Sequence, residues 1–182
     1  MATISTKWGA AVVAGALALT GALATGMGAK KETLKAGDDA PKLEVNEWIK
    51  GDPITELQKG HVYVVEYWAT WCPPCVKSIP HMTELQKEYK EQDVHFIGVA
   101  AFERKGRDNL KSFVEKKGDE MNYRIAYASD GKAAKAWMEA AGKNAIPTAF
   151  VIGRDGKIAW IGNPLSGLDK AVGDAAKAPS EG

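Results

Sequence analysis

The chain has two cysteines in 182 residues, Cys72 and Cys75, spaced as Cys-Pro-Pro-Cys. Two thiols three residues apart support three uses: one redox couple, half of a zinc site, or a single structural staple. The thiolate, not the thiol, attacks a disulfide. A cysteine at a helix N-terminus feels unpaired N–H groups and the positive end of the helix dipole. In Cys-X-X-Cys sequences this lowers the thiol pKa from about 8.5 into a range of roughly 3.5–7.5. Cys72 would occupy such an end, with Cys75 one turn later on the same side. Cys72 is then the attacking thiol, and Cys75 resolves the mixed disulfide that forms. Pro73 and Pro74 stiffen the spacer and remove two N–H groups near the sulfur, which should tune the redox potential.

A structural zinc site needs about four ligands. His61, His81 and His95 do not lie at ligand spacing relative to the cysteines, so no metal site is expected. A passive staple remains the other alternative.

The elements around the pair must place it at a strand-to-helix junction. Val62 to Trp68 has apolar residues on both faces, the pattern of a central parallel strand. Glu66 interrupts it. Val64 and Trp68 share its face, so a buried carboxyl is expected rather than an exposed edge residue, and a buried carboxyl has a raised pKa. After the cysteines, Val76 to Lys90 has helical character. Pro74 fits its first turn, Ile79, Met82, Leu85 and Tyr89 form a core-facing stripe, and Pro80 should kink it.

Upstream, Leu43, Val45 and Trp48-Ile49 form a short apolar edge segment. A turn follows at Gly51-Asp52-Pro53, then one helical turn over Thr55 to Lys59. Downstream, the pattern gives a strand at Val94–Ala100, a helix at Asn109–Lys117 capped by Asp108 and stopped by Gly118, and a strand at Tyr123–Tyr127. It continues with a helix at Lys132–Ala141 and a strand at Ala149–Ile152. The Arg154-Asp155-Gly156-Lys157 turn leads to a return strand at Ile158–Ile161, and a last helix spans Leu165–Ala176. Strands alternating with helices, then a hairpin and a helix, indicate an α/β layered fold with a central mixed sheet.

Residues 1–29 differ from the rest. Lys7 is the only charge before Lys30, and Trp8 to Ala29 is Ala, Gly, Val, Leu, Thr and Met. A charged start, an apolar stretch and Ala22-Leu23-Ala24 fit a signal peptide. A membrane anchor is the alternative, since 22 residues are long enough to cross about 30 Å. No cysteine directly follows the apolar run, which disfavours a lipoprotein. Either reading puts the domain outside the cytoplasm, periplasmic or anchored facing the periplasm, where disulfides persist. The expected division is leader 1–29, a loose linker 30–40, one domain over 41–177 and a polar tail 178–182. A net charge of +1 and the lack of a basic stripe argue against a nucleic-acid partner.

From about Gly37 to Val172 the chain resembles the thioredoxin-like superfamily, and within it the TlpA/ResA-type extracytoplasmic thiol–disulfide oxidoreductases. The resemblance rests on Val64-Val65-Glu66-Tyr67-Trp68-Ala69-Thr70-Trp71-Cys72-Pro73-Pro74-Cys75, on Pro80, and on Ile146-Pro147-Thr148 before a strand. It implies a thioredoxin-like fold with a helix–strand insertion, here Asp108 to Tyr127. It implies a cis Pro147 facing the dithiol, and a substrate groove formed by Trp71, Pro73, Pro74, Ile146 and Pro147. In that groove the Ile146 backbone would pair with a client peptide. It gives Glu66 the place of a buried acid that relays a proton to the resolving cysteine, although many TlpA-like members carry asparagine there. Peroxiredoxins carry Thr-x-x-Cys, and Thr70-Trp71-Cys72 breaks that spacing.

The expected function is reduction, or isomerisation, of disulfides in exported proteins. The Cys72–Cys75 pair is the redox group and no bound cofactor is needed. The resemblance implies a membrane electron donor of DsbD/CcdA type and clients that include apocytochrome c. The alternatives are a net disulfide oxidant, or a non-catalytic carrier of metal or haem-assembly intermediates. Copper-delivery relatives have a wider cysteine spacing and a partnered histidine, and this chain has neither.

Overall fold

Seven consecutive residues, Val62 to Trp68, are all buried, and this strand lies inside the sheet. The computed structural model describes residues 1–3 and 33–179. The chain divides into a unit over 1–31 and a unit over 32–182. The expected leader, except for its first three residues, and residues 180–182 of the expected tail lie outside the described residues. Among the described residues no helix is long and apolar enough to cross a membrane.

The strands are β1 (Glu47–Lys50), β2 (Val62–Trp68), β3 (Val94–Ala100), β4 (Arg124–Tyr127), β5 (Thr148–Ile152) and β6 (Ile158–Gly162). They form one sheet in the order β1-β4-β3-β2-β5-β6. β2 runs parallel to β3 and antiparallel to β5, so the central strand belongs to a mixed sheet. β3 and β4 are parallel, whereas β1 and β6 are antiparallel edges. The helices are α1 (Pro73–Glu88), α2 (Gly106–Lys117) and α3 (Leu168–Lys177).

Alternation along β2 sends its side chains to two cores. Val62, Val64 and Trp68 join Cys75, Ile79 and Met82 of α1 and Leu168 and Val172 of α3. Tyr63, Val65 and Tyr67 join Trp137, Met138 and Phe150 on the other face. Trp137 anchors this second core. Its ring meets Phe150 edge-on at 5.2 Å, and its indole N–H donates to Lys42 O at 3.2 Å, holding the N-terminal segment down.

Several expectations are corrected. Residues 34–40 are not loose: the Leu34 N–H donates to Ala140 O, the Gly37 N–H to Ile158 O and the Ala40 N–H to Gly156 O. A polar composition disguised a strap whose bonds are made by backbone. Thr55–Lys59 forms no helical turn. The Gln58 N–H is taken by the Tyr63 hydroxyl at 3.0 Å, and Leu57 packs on the second core. The helix expected over Lys132–Ala141 is present, and over Ala134–Glu139 it is wound as a wide π-helix. The hairpin turn stands where its sequence put it, between β5 and β6, with Gly156 at a positive φ of 81°. α1 runs through Pro80 as one continuous helix.

Removing the Trp137 ring should leave a large hole in a fully buried site. Trp137→Ala is expected to destabilise the domain by about 3–5 kcal/mol, read as a lower denaturant midpoint. An unchanged midpoint would mean that the π-helix does not anchor the second core.

Candidate active site

β2 ends at Trp68 and α1 begins at Pro73, so Ala69 to Cys72 must turn a buried strand into a helix. Cys72 is the N-cap of α1 in an extended conformation, with φ −99° and ψ 102°. Pro73 and Pro74 take the first two helical positions, where a missing N–H costs no helical bond. The first available donor, the Cys75 N–H, points at Cys72 Sγ at 3.3 Å. Cys72 and Cys75 are joined as a disulfide. Cys75 is fully buried and Cys72 is 3% exposed. The fixed N–H and the helix end would hold negative charge on Cys72 once the pair is reduced.

The chain reaches the same sulfur from the far side. Ile146–Pro147 is a cis peptide, and Ile146 O lies 3.6 Å from Cys72 Sγ. Trp71, 40% exposed, and Ile146 line one hollow with Phe102, Arg104 and Met138. Of the residues expected to form the groove, Pro73 and Pro74 are exposed on the first turn of α1. Pro147 is buried, and none of these three prolines lines that hollow.

Glu66 is 1% exposed on the α1 side of β2. Its Oε1 lies 2.5 Å from Ser78 Oγ, and the same Oγ lies 2.8 Å from Cys75 O. Ser78 has one hydroxyl hydrogen and two acceptors within reach. Its single hydrogen serves one of them at a time: Ser78 donates to Glu66 Oε1 when the carboxyl is ionised, and to the Cys75 carbonyl when Glu66 is protonated and donates to Ser78 Oγ. Burial pushes the Glu66 carboxyl up to about 7, against the opposing effect of the Ser78 hydrogen bond. The buried acid is therefore linked to the backbone of the second cysteine through one serine.

Sequence reasoning found neither Ser78 nor a clamp on the turn before Cys72. Three successive residues after β3 hold that turn. Phe102 O accepts the Trp71 indole N–H at 2.7 Å. The Glu103 carboxylate accepts the Thr70 N–H at 2.6 Å and the Thr70 hydroxyl at 2.8 Å. The Arg104 guanidinium lies 3.7 Å over the Trp71 ring. Asn109 adds a 3.2 Å bond to Thr70 Oγ1. The only sequence signal for this clamp is its position, directly after a strand parallel to β2. Among the described residues, no group of three or more His, Cys, Asp or Glu is placed to hold a metal. His81 faces Asp169, and His61 faces His95.

Comparison with known proteins matches residues 35–176 to the Redoxin family. Protein FixW of Rhizobium leguminosarum is 32% identical over 136 residues, 72% of this chain and 62% of FixW's own length. The thiol-disulfide oxidoreductase ResA of Bacillus thuringiensis (strain Al Hakam) is 31% identical over 173 residues, covering 94% of this chain and 88% of ResA. Among solved structures, a thiol:disulfide interchange protein of the thioredoxin family from Chlorobium tepidum TLS superposes with a TM-score of 0.63 at 27% identity. That match covers 76% of this chain and 96% of that one. The chain belongs to the redoxin family and is a TlpA/ResA-type protein of thioredoxin-like fold.

Proposed function

We propose that the protein is a thiol–disulfide oxidoreductase that reduces disulfides in exported client proteins. The observation that carries this reading is the Cys72–Cys75 disulfide at the N-terminus of α1, with the Cys75 N–H and Ile146 O both directed at Cys72 Sγ. The name borne by ResA and the apolar leader with a charged start support it. In the reduced enzyme the Cys72 thiolate attacks one sulfur of a client disulfide. The client S–S bond breaks and its other sulfur leaves as a thiolate. The Cys75 thiol then gives its proton to the Glu66 carboxylate, and the Cys75 thiolate attacks Cys72 Sγ. The bond between Cys72 and the client breaks, the Cys72–Cys75 disulfide forms, and two electrons have passed to the client. A client segment extended beside Ile146 would pair with its backbone.

The cycle closes only when a donor returns two electrons and two protons to the disulfide. The redox couple needs no further cofactor. In an oxidising compartment the donor would be a membrane protein of DsbD/CcdA type, and apocytochrome c is among the clients that the family resemblance implies. An export leader over residues 1–29 would put the domain outside the cytoplasm.

Replacing the resolving sulfur tests the order of attack. Cys75→Ser in the native host should accumulate mixed disulfides between Cys72 and clients, which mass spectrometry would identify. A folded variant that accumulates none would overturn the assignment of Cys72 as nucleophile.

The role of Glu66 has a defined pH signature. As a base it works only when ionised, so the resolving rate should rise with pH through about 7. Glu66→Gln should lack that inflection and resolve roughly 10²-fold more slowly at pH 8. Stability should move the other way. The folded carboxyl holds its proton up to about 7, against an ordinary value of 4.5. The stability it contributes is therefore present at low pH and lost as pH rises through that window, at a cost on the order of 3 kcal/mol. Glu66→Gln should thus gain on wild type in denaturant unfolding between pH 5 and pH 8. Parallel pH profiles for the two proteins would remove Glu66 from the mechanism.

A further inference from the structure

Trp71 and Ile146 line one hollow beside the nucleophile: Trp71 precedes Cys72 in the chain, and Ile146 O lies 3.6 Å from Cys72 Sγ. Phe102 and Met138 add apolar wall, and a volume of about 510 Å³ lies in the range that seats small ligands. Four charged side chains stand around it: Glu103, Arg104, Glu139 and Lys143. They are not equivalent. The Glu103 carboxylate is taken up by the Thr70 N–H and hydroxyl. Glu139 and Lys143 are exposed, close in sequence and of opposite sign. Arg104 differs from all three because it is both held in place and unpaired. Its guanidinium lies 3.7 Å over the Trp71 ring, and that ring is itself fixed by the 2.7 Å bond from its indole N–H to Phe102 O. Among the described residues, the Arg104 side chain makes no hydrogen bond and no ion pair.

We propose that Arg104 is a specificity-determining residue that selects client disulfides with a carboxylate side chain close in sequence to the cysteine that Cys72 attacks. The inference rests on the disulfide reduction proposed above and names the clients that the same site prefers. A guanidinium presents five N–H donors in a planar fork, which a carboxylate meets with two parallel bonds. Stacking on Trp71 uses a face of that plane and leaves the donors along its edges unused. An exposed arginine must normally be immobilised in order to bind, and that ordering costs affinity. Here the stack has already restricted the side chain, so less is lost when a partner arrives.

A client segment extended beside Ile146 sends alternate side chains to opposite sides, so one set faces the hollow. A carboxylate in that set reaches the Arg104 fork, whereas a lysine there meets a like charge. The same residue thus discriminates in both directions. The discrimination belongs to Arg104 and not to the net charge of the rim, where Glu139 and Lys143 offset each other.

The test measures kcat/KM of the reduced protein on disulfide-linked peptide dimers that carry Glu, Gln or Lys beside the cysteine, in one series before it and in another after it. Each rate is divided by that of dithiothreitol on the same peptide, which removes intrinsic differences between the disulfides. In at least one series the Glu peptide should be reduced about fivefold faster than the Gln peptide, the upper end for an exposed ion pair, and the Lys peptide more slowly than both. Arg104→Gln should bring the ratio of Glu to Gln to about one, even where loss of the stack on Trp71 slows all peptides together. Lys105→Gln removes the same charge from a neighbour that does not line the hollow, and should keep the wild-type ratio. Arg104→Glu should reverse the order, and supplies the test if Arg104→Gln does not fold. Equal normalised rates for the Glu and Gln peptides in wild type, or an unchanged ratio in Arg104→Gln, would overturn the inference while leaving the reductase standing. A wild-type protein that reduces none of the peptides would overturn the reductase and this inference with it.

Discussion

The structure turns on how the N-terminus of α1 is satisfied. Four N–H groups at a helix start have no intrahelical partner. Here two of those positions are prolines, and the next free N–H, that of Cys75, is given to the sulfur of Cys72. No Ser, Thr, Asp or Asn caps the helix, although those residues do so best. A softer acceptor stands in that place, and it is the reactive atom. The same contact thus ends the strand-to-helix turn, caps the helix and favours charge on the nucleophile.

The turn itself is too short to hold this geometry alone. Thr70 and Trp71 are fixed by Phe102, Glu103 and Arg104, which arrive on the loop after β3 because β3 runs parallel to β2 and ends beside it. Ile146 closes the far side from the loop before β5. Three elements adjacent in the sheet therefore deliver the site at one end, and the buried strand β2 keeps them in register. Beneath it, Glu66 lies where a hydrophobic residue would be more stable, and the elevated carboxyl pKa is the consequence of that burial. A group kept at such a cost in a core suits proton transfer near neutral pH better than it suits packing.

Much of this was legible in the sequence, for reasons that are local. Cys72 and Cys75 are the only thiols. Val62 to Trp68 is apolar on both faces, and Pro74 starts a helix while the Asp155-Gly156 turn makes a hairpin, whatever surrounds them. The burial of Glu66 followed from its neighbours Val64 and Trp68 on one face. What escaped the sequence depends on contacts far along the chain. Ser78 looks like any helical serine until the fold sets it under Glu66, and Tyr123 like any strand-flanking aromatic until Gly98 leaves space for it. Thr55–Lys59 has helical composition but is held open by Tyr63. The Trp137 segment has helical periodicity, and its helix widens to a π-helix while packing Trp137 against Phe150. The polar strap at residues 34–40 is tied by backbone bonds that no side chain advertises.

The central claim is that the helix end makes Cys72, and not Cys75, the reactive thiolate. The most direct measurement is the pH dependence of alkylation of each thiol in the reduced protein, resolved by mass spectrometry. The account expects Cys72 to be modified first, with a pKa well below the ordinary value of about 8.5, while buried Cys75 reacts slowly. Modification of Cys75 first, or a Cys72 that titrates at about 8.5 or above, would contradict it.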